Sequence, residues 1–425
     1  MRILFVTPYP PSRIRVRGYG FLNELQREHE VMLITQCVSE QELADAESLR
    51  NQGHEVIVVQ ESKRQAALRS GGALFSKVPM QVAYARSGLF AEAVQDLCSQ
   101  HTFDVVHVEH LRGIASVEHI ARNHPLIWDA VDCITLLFKQ AVVAGPSLPV
   151  RMLARVEHKR TQRYEARLLG QLQHILVTSE RDRQAMIELY RTQMGDLMSN
   201  DEALSARVSV LPNGVDLEYF RPVHLERRRF NVVFSGKMSY HANVATALYL
   251  YQQIMPLVWQ QVPEATLTIV GSRPPKAIQL LSHDPRVEVT GYVPDVRPYI
   301  QRAEVMLSPM VYSVGIQNKV LEAMALGTPA VVAAQVAESL GAHPGRDLLV
   351  AGSPQEFANT TLRLMHDSEL HATLRQCGRR YVEERHNWRL VTERLVDIYR
   401  RAVAMHSGNN IAHGTEVSFA SRISI

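Results

Sequence analysis

The chain has 425 residues, of which 46% are hydrophobic and 21% are charged, and its formal net charge is only +3. This composition is typical of a large soluble protein with two domains, and the charge is too small to indicate nucleic-acid binding. The four cysteines show neither metal-ligand spacing nor a secreted framework, and no stretch approaches 18 uncharged apolar residues. We therefore expect a cytoplasmic protein without a membrane span or a signal peptide.

Short apolar runs alternate with helical runs through the first half of the chain. The runs that we interpret as buried parallel strands are Ile3–Val6, Val31–Ile34, Val56–Val59, Val105–Val108, Ile175–Val177 and Val208–Leu211. Strands of this kind are buried on both faces, so they are continuously apolar. The turn-rich passage Pro212–Pro222 follows, and we interpret it as the linker to a second domain.

The second half repeats the alternation. Its predicted strands are Asn231–Ser235, Ala265–Val270, Val287–Val289, Val305–Leu307, Ala330–Val332 and Leu348–Val350. The pattern predicts an α/β protein with two Rossmann-like, doubly wound domains, 1–212 and 223–388, facing each other across a cleft. We expect a helix at about 390–405 to cross back to the first domain, and a disordered polar tail at 406–425.

The stretch Val314–Val332 carries the strongest functional signal. A loop with Gly315 leads into a short apolar helix that ends at Gly327 and Pro329. Backbone N–H groups at a helix start suit a phosphate, and Glu322, on the first turn of the predicted helix, can accept hydrogen bonds from ribose hydroxyls. The pattern indicates a nucleotide diphosphate site, although an ordinary loop–helix–strand unit with a solvated glutamate is also compatible with it.

Two further strand ends point to the same site. One predicted strand ends at Gly236 and Lys237, where an ammonium group can meet a diphosphate. Another ends at Gly291, followed by Tyr292 and Val293, where backbone can approach a flat base. A surface lysine and plain turn chemistry are the simpler interpretations of these two features.

A basic loop precedes the first helix. Arg13, Arg15 and Arg17 occupy alternate positions, and Gly18 and Gly20 stand at the predicted helix start. This combination indicates an anion-binding loop. A solvated basic loop is the alternative.

Three segments, Gly236–Met238, Pro212–Phe220 and Lys319–Pro329, resemble the family 4, or group 1, glycosyltransferases of the GT-B type, and the similarity extends from Met1 to about residue 405. Pro-Tyr-Pro-Pro and Gly-Ile-Gln-Asn-Lys-Val-Leu-Glu resemble bacterial sugar transferases of exopolysaccharide clusters. The resemblance implies a hexosyltransferase-like enzyme that uses a UDP- or GDP-linked sugar with retention. It also implies a glycan or lipid-linked acceptor and no metal or other cofactor.

The resemblance also implies residue roles on the donor side. Glu322 would bind the ribose, and Lys237 would bind the diphosphate in place of the usual arginine. The backbone of Gly315 and Ile316 would contact the diphosphate or the sugar. Tyr292 and Val293 would line the base. Two departures stand out. Val314 occupies the position of a glutamate that normally faces the donor sugar, and Ala242 and Asn243 occupy the region of a second usual lysine. We expect Lys319, one helical turn before Glu322, to compensate for that lysine.

The first domain should bind the acceptor. Glu109 and His110 end a predicted strand where such enzymes often carry an acceptor-side acid or histidine, so both are catalytic candidates, although a structural role is the simpler one. Asp129 and Asp132 end another strand. They could bind acceptor hydroxyls, but capping the following helix is the simpler interpretation.

The run from Arg151 to Arg167 is basic and amphipathic, which suits peripheral binding at the inner face of the plasma membrane. A solvated helix with pairs such as Glu157–Arg160 and Glu165–Arg167 is the alternative. Two other functions stay open: a nucleotide-sugar epimerase or hydrolase, and a non-catalytic nucleotide-sugar-binding protein. No lysine has the context of a pyridoxal-phosphate site, which argues against a phosphorylase.

Overall fold

The computed structural model describes residues 1–73, 76–121, 123–145, 148–194, 201–311 and 315–420. They form two compact units. The first comprises described residues of Met1–Phe138 and Arg155–Leu211 and the chain from Arg389, and the second comprises those of Lys139–Ala154 and Pro212–Trp388. The chain therefore leaves the first unit and returns to it at the last helix.

A parallel sheet of seven strands forms the centre of the first unit. Its strands are β1 Arg2–Thr7, β2 Glu30–Cys37, β3 Glu55–Gln60, β4 Val105–Glu109, β5 Leu126–Val131, β6 His174–Val177 and β7 Val208–Val210. They are ordered β3-β2-β1-β4-β5-β6-β7, and every neighbouring pair is parallel. Residues 3–6 of β1 are fully buried, because helices cover both faces of a doubly wound sheet.

A second parallel sheet, of six strands, forms the centre of the second unit. Its strands are β8 Arg228–Ser235, β9 Thr266–Val270, β10 Val287–Gly291, β11 Ala303–Ser308, β12 Ala330–Val332 and β13 Leu349–Val350. They are ordered β10-β9-β8-β11-β12-β13. The prediction of two doubly wound parallel sheets is thus confirmed.

Helices connect the strands of both sheets. The first ten are α1 Val16–Leu25, α2 Glu40–Asn51, α3 Lys63–Gly72, α4 Met80–Ala85, α5 Gly88–Gln100, α6 His110–Ile114, α7 Ile134–Ala144, α8 Leu148–Gln171, α9 Glu180–Met194 and α10 Asp201–Arg207. The others are α11 His241–Tyr249, α12 Met255–Gln261, α13 Lys276–Gln279, α14 Arg297–Arg302, α15 Asn318–Ala325, α16 Ala334–Leu340, α17 Pro354–His366, α18 Ser368–Arg385 and α19 Trp388–Ala420. A π-helical turn, Leu250–Ile254, joins α11 to α12, where Pro256 lacks the N–H that a regular helix would use.

Three helix boundaries differ from the sequence expectation. Helix α1 begins at Val16, so Arg17 and Gly18 lie inside the helix and not in the loop before it. Helix α15 begins at Asn318, so Glu322 lies in its second turn and not its first. Helix α19 continues to Ala420, through most of the segment that was predicted to be a disordered tail from residue 406.

The strand orders fix where a ligand site can lie. The chain reverses direction across the sheet between β1 and β4 in the first unit and between β8 and β11 in the second. Ligands of doubly wound sheets bind outside the carboxyl ends of the strands at such a switch point. Among the described residues, no helix is long and apolar enough to span a membrane.

Candidate functional site

The switch point of the second unit is built on two glycines. Gly236 follows β8 with a φ of +152°, and its N–H donates to the Val270 carbonyl at 2.9 Å. Gly271, after β9, has a φ of +155°, and a Cβ there would lie 1.8 Å from the Gly236 carbonyl oxygen. The two strand ends therefore touch through their backbones, which only glycine permits at this point.

Lys319 reaches this strand end from the first turn of α15. Its ammonium group donates a hydrogen bond to Asn243 Oδ1 and lies 4.7 Å from the centre of the Phe234 ring. A Cβ on Gly236 would lie 3.2 Å from Lys319 Nζ. The cation predicted to compensate for a missing lysine thus lies beside the strand-end glycine.

Burial controls the charge of this lysine. It lowers the pKa of Lys319 to about 7, although the nearby carboxylate of Glu322 opposes the shift. Burial also raises the pKa of Glu322 to about 7, with Lys319 opposing. Both groups are half-buried and titrate near neutral pH, which makes the pair responsive to a bound anion.

Asn243 is the residue that sequence reasoning missed. It is 6% exposed, and its Nδ2 donates to the Lys237 carbonyl at 3.0 Å while its Oδ1 accepts from Lys319. One amide therefore fixes both the loop after β8 and the lysine from α15. Its only signal in the sequence is that it stands near the position where the resembling family has a lysine.

The remaining donor-side candidates differ in exposure. The Lys237 side chain is exposed, whereas Gly315, with a φ of +61°, and Ile316 are buried just before α15. Tyr292 is 75% exposed and Val293 is half-buried, and both follow β10, the edge strand that β9 separates from β8. The position of Val314 lies outside the described residues.

The three arginines of the first loop go to different places. Arg13 is exposed. Arg15 pairs with Glu42 at 2.7 Å and lies over the Tyr9 ring. Arg17 is 3% exposed, and its Nε donates to Asp129 Oδ2 at 2.6 Å. The anion-binding loop stays a prediction, and at Arg17 the buried Asp129 carboxylate already pairs with the guanidinium.

Glu109 ends β4 at the switch point of the first unit. It is 5% exposed, and within the described residues its carboxylate makes no hydrogen bond. A Cβ on Gly18 would lie 2.5 Å from Glu109 Oε2, so the acid lies against the first turn of α1. Burial, followed by the charge of Asp129, raises the pKa of Glu109 to about 8, so the group keeps its proton at neutral pH.

His110 begins α6 with a positive φ of 69°, an unusual conformation for a residue with a side chain. The Arg112 N–H donates to its Nδ1 at 3.3 Å. Burial, together with the charge of Arg112, lowers the pKa of His110 to about 3. The imidazole is therefore neutral, and the catalytic role of Glu109 and His110 stays a prediction.

Behind these residues lies a buried polar network. Asp129, the register partner of Glu109, pairs with Arg17 and lies 3.4 Å from His107 Nε2. The Tyr399 hydroxyl lies 2.8 Å from His107 Nδ1. The charge of Arg17 holds the pKa of Asp129 below its usual range, against the effect of burial. The network connects α1, two central strands and α19 within the first unit.

The N-terminus of α7 is capped by residues that the sequence did not indicate. Glu165 accepts the N–H groups of Ile134 and Thr135 at 3.0 and 2.9 Å, and Asp182 accepts that of Cys133 at 3.0 Å. The predicted capping by Asp129 or Asp132 is wrong, because these buried acids from α8 and α9 occupy the helix end. Glu165 is for the same reason unavailable to Arg167, which pairs with Glu118.

Within the described parts of the chain, no group of three histidine, cysteine, aspartate or glutamate side chains is arranged to hold a metal ion. The metal-free reaction that the sequence implied stays a prediction.

Comparison with known proteins gives family matches to both units. The family model described as "Glycosyltransferase Family 4" matches residues 43–219, and that described as "Glycosyl transferases group 1" matches residues 229–367. A D-inositol 3-phosphate glycosyltransferase of Salinispora arenicola (strain CNS-205) is 28% identical over 272 residues. That match spans 57% of this chain and 59% of the relative.

Two solved structures share the fold over nearly the full length. Anabaena Alr3699/HepE in complex with UDP has a TM-score of 0.61 at 14% identity, covering 93% of this chain and 99% of that one. The sucrose-phosphate synthase of Thermosynechococcus elongatus has a TM-score of 0.68 at 17% identity, covering 95% and 99%. With two parallel sheets and family matches in both units, the chain belongs to the family 4, or group 1, glycosyltransferases of the GT-B type.

Proposed function

We propose that this protein transfers a hexose from a UDP- or GDP-linked donor to a glycan or lipid-linked acceptor, with retention and without a metal ion. The observation that carries the proposal is the half-buried Lys319 ammonium between Asn243, Phe234 and Gly236 at a switch point. A cation that is costly to keep charged gains most from a ligand with a negative charge. A diphosphate is the ligand that doubly wound sheets commonly bind there.

Each donor-side residue has a role in the proposal. Lys319 and Lys237 meet the diphosphate, and the buried backbone at Gly315 and Ile316 lies before α15 to contact the diphosphate or sugar. Glu322 accepts ribose hydroxyls, and Tyr292 and Val293 line the base. UDP has support as the donor nucleotide, because Alr3699/HepE has been crystallised with UDP and with UDP-glucose.

On the acceptor side, Glu109 and His110 are our catalytic candidates. A protonated Glu109 can donate a hydrogen bond to an acceptor hydroxyl, and the neutral His110 can accept a hydrogen bond from one. The Salinispora relative is named a D-inositol 3-phosphate glycosyltransferase, and that name supports a hydroxylated acceptor. We propose a glycan or lipid-linked acceptor in exopolysaccharide or cell-surface glycan synthesis, with the enzyme peripheral on the cytoplasmic side of the membrane.

The direct test is calorimetry of the purified protein with UDP, GDP and the corresponding nucleosides. One diphosphate should bind at least tenfold more tightly than its nucleoside, and the same diphosphate-linked sugar should be consumed only when an acceptor is present. A protein that prefers neither diphosphate to its nucleoside is not a nucleotide-sugar enzyme of this kind. Consumption of the donor without acceptor would favour an epimerase or a hydrolase.

A further inference from the structure

Arg112 is a half-buried cation without an acidic partner. It lies in α6, just after the end of β4, at the carboxyl edge of the first sheet. Within the described residues its guanidinium forms neither an ion pair nor a hydrogen bond, and its Nε is enclosed. Arg15 and Arg17, by contrast, pair with Glu42 and Asp129. Because a desolvated cation without a counter-charge costs free energy, Arg112 would gain from an anionic ligand.

A phenol hydroxyl lies near this guanidinium. Tyr9 follows β1, the strand next to β4, and its ring centre lies 6.3 Å from that of His110, which accepts the Arg112 N–H. In the part of the chain that the structure describes, the Tyr9 hydroxyl has no hydrogen-bond partner. Burial, followed by the charge of Glu109, raises the pKa of Tyr9, and the charge of Arg112 opposes the shift. The hydroxyl therefore keeps its proton and is available as a donor.

The acids at this edge do not neutralise Arg112. Burial raises the pKa values of Glu109 and Asp132 to about 8, so both carboxyl groups are mostly protonated at neutral pH. Asp129 keeps its charge, but it pairs with Arg17. A ligand that approaches Arg112 therefore meets one uncompensated positive charge, which favours an anion over a cation or a neutral sugar.

We propose that Arg112 and the Tyr9 hydroxyl bind a phosphate group of the acceptor, so that the acceptor is a phosphate ester and not an unmodified glycan. A planar guanidinium can donate two parallel hydrogen bonds to phosphate oxygens, and Tyr9 adds a third donor. The inference rests on the proposed function, since it brings the acceptor to Glu109 and His110 at the end of β4. A soluble phosphate ester and a lipid-linked diphosphate share this chemistry.

The first experiment is calorimetry of the full chain with inorganic phosphate and with pyrophosphate, in the presence of saturating UDP or GDP. The nucleotide occupies the diphosphate site proposed at Lys319, so a further anion has to bind elsewhere. We expect at least one of the two probes to bind the nucleotide-saturated protein with millimolar affinity or better. Binding of neither probe overturns the proposal.

Variants assign the bound anion to its residues. Arg112→Gln should weaken phosphate binding by about ten- to a hundredfold, and Tyr9→Phe, which keeps the ring, by about three- to tenfold. Arg112→Lys should recover part of the affinity, because it keeps the charge but not the paired donors. None of these variants should change the Kd of the nucleotide. The matched control is Arg167→Gln, since Arg167 is also half-buried in the first unit but pairs with Glu118.

Two results of these titrations would contradict the proposal. An equal loss of phosphate binding in the Arg167→Gln control would mean that the anion binds through general charge. An equally large loss of nucleotide affinity in Arg112→Gln would assign this arginine to the donor. Cooperative urea unfolding checks that each variant is folded.

Competition against bound phosphate identifies the source of the phosphate group. Displacement by glycerol phosphate would indicate a soluble phosphate ester, and displacement by farnesyl diphosphate alone would indicate a lipid-linked diphosphate. Displacement by neither compound, or equally well by glycerol, overturns the proposal. If neither UDP nor GDP binds the protein, the proposed function fails. The phosphate titration is then made without nucleotide, and its dependence on Arg112 decides this site by itself.

Discussion

Lys319 connects α15 to the end of β8, and its surroundings explain why its charge depends on a ligand. The ammonium has one amide oxygen and one aromatic ring as neighbours, and the carboxylate that opposes its pKa shift belongs to Glu322. Lys237 stands at the same strand end with an exposed side chain. The two lysines therefore offer a comparison between a half-buried and an exposed cation at one site.

We expect Lys319→Gln to weaken the binding of UDP or GDP by about ten- to a hundredfold, since hydrogen bonds to charged groups contribute roughly 1.5–3 kcal/mol. Lys237→Gln should cost less than about fivefold, because exposed charges contribute roughly 1 kcal/mol or less. Neither change should affect the nucleoside, which carries no phosphate. Calorimetric titration measures all of these affinities, and equal losses for nucleoside and diphosphate would remove the lysines from the phosphate site.

The depressed pKa of Lys319 predicts proton uptake on binding. The pKa of Lys319 in the folded protein is about 7, below the ordinary value of 10.5. Its contribution to the free energy of unfolding is therefore complete above the pKa of the unfolded chain, and it is lost as the pH falls through about 7. A diphosphate favours the ammonium form and reverses the shift. At pH 8, where Glu322 is mostly ionised, binding should therefore take up close to one proton.

Titration in buffers of different ionisation enthalpy measures that uptake. The Lys237→Gln variant is the control and should retain it, whereas Lys319→Gln should lose it. An uptake of zero in the wild type at pH 8 would show that Lys319 does not meet the bound anion.

Glu109 can act in two ways that two substitutions distinguish. If its proton is donated in a hydrogen bond to an acceptor hydroxyl, Glu109→Gln keeps a donor and should reduce kcat less than about tenfold, while Glu109→Ala should reduce it far more. If the Glu109 carboxylate instead accepts a proton from the acceptor hydroxyl, both substitutions should reduce kcat by about 10²–10⁴-fold. Steady-state kinetics with a soluble acceptor decide, and unchanged kcat in both variants would exclude Glu109 from catalysis.

Helix α1 and strand β4 meet at Gly18 and Glu109, which gives a test at the level of elements. A Cβ on Gly18 would lie 2.5 Å from Glu109 Oε2 and 3.0 Å from Pro11 Cγ, so Gly18→Ala requires the Glu109 side chain and the Pro11 ring to shift. We expect a loss of about 1–3 kcal/mol in the free energy of unfolding. Gly88, the first residue of α5, has no atom within 4 Å of an added Cβ and is the matched control.

Urea unfolding measures both variants. Gly88→Ala should be neutral or slightly stabilising, because alanine favours a helix more than glycine does. The Gly18→Ala, Glu109→Ala double variant should recover part of the loss, since the nearest atom is removed. Equal effects of the two glycine changes would mean that the contact with Glu109 has no energetic consequence.

The sequence predicted the strands and helices better than the side-chain pairs that connect them. Continuous apolar runs identified both sheets, because central parallel strands are buried on both faces. The start of α1 was missed because Arg15, at its N-cap position, makes no side-chain capping bond. The destination of Arg17 could not be predicted, since Asp129 is 112 positions away in the chain, and Asn243 is 76 positions from Lys319. Such pairs exist only after the strands have aligned.

At the scale of the whole molecule, the first unit is assembled from both ends of the chain. Leu395, Tyr399 and Ala402 of α19 stand at helical spacing and are at most 1% exposed. Tyr399 lies 2.8 Å from the buried His107 of β4. The first sheet therefore depends on a helix that follows the entire second unit.

We expect a fragment of residues 1–211 to be unstable or insoluble when produced alone. It exposes the surface that α19 covers, and each buried Leu or Tyr side chain contributes roughly 1.5–3 kcal/mol. Co-expression with residues 389–425 should restore a soluble complex with a cooperative melting transition. A fragment 1–211 that melts cooperatively without the helix would contradict this dependence.

The return of the chain at Arg389 also determines the order of folding during synthesis. The ribosome must add roughly 180 residues after Leu211 before α19 begins, which takes about 10–35 s at 5–20 residues per second. Through that interval the N-terminal sheet is fully translated but still lacks one of its covering helices. The second unit can finish folding first, because its sheet is complete before α19 is made. The half of the protein that is synthesised first is thus the half that finishes folding last, and its uncovered strands are where a chaperone would be needed.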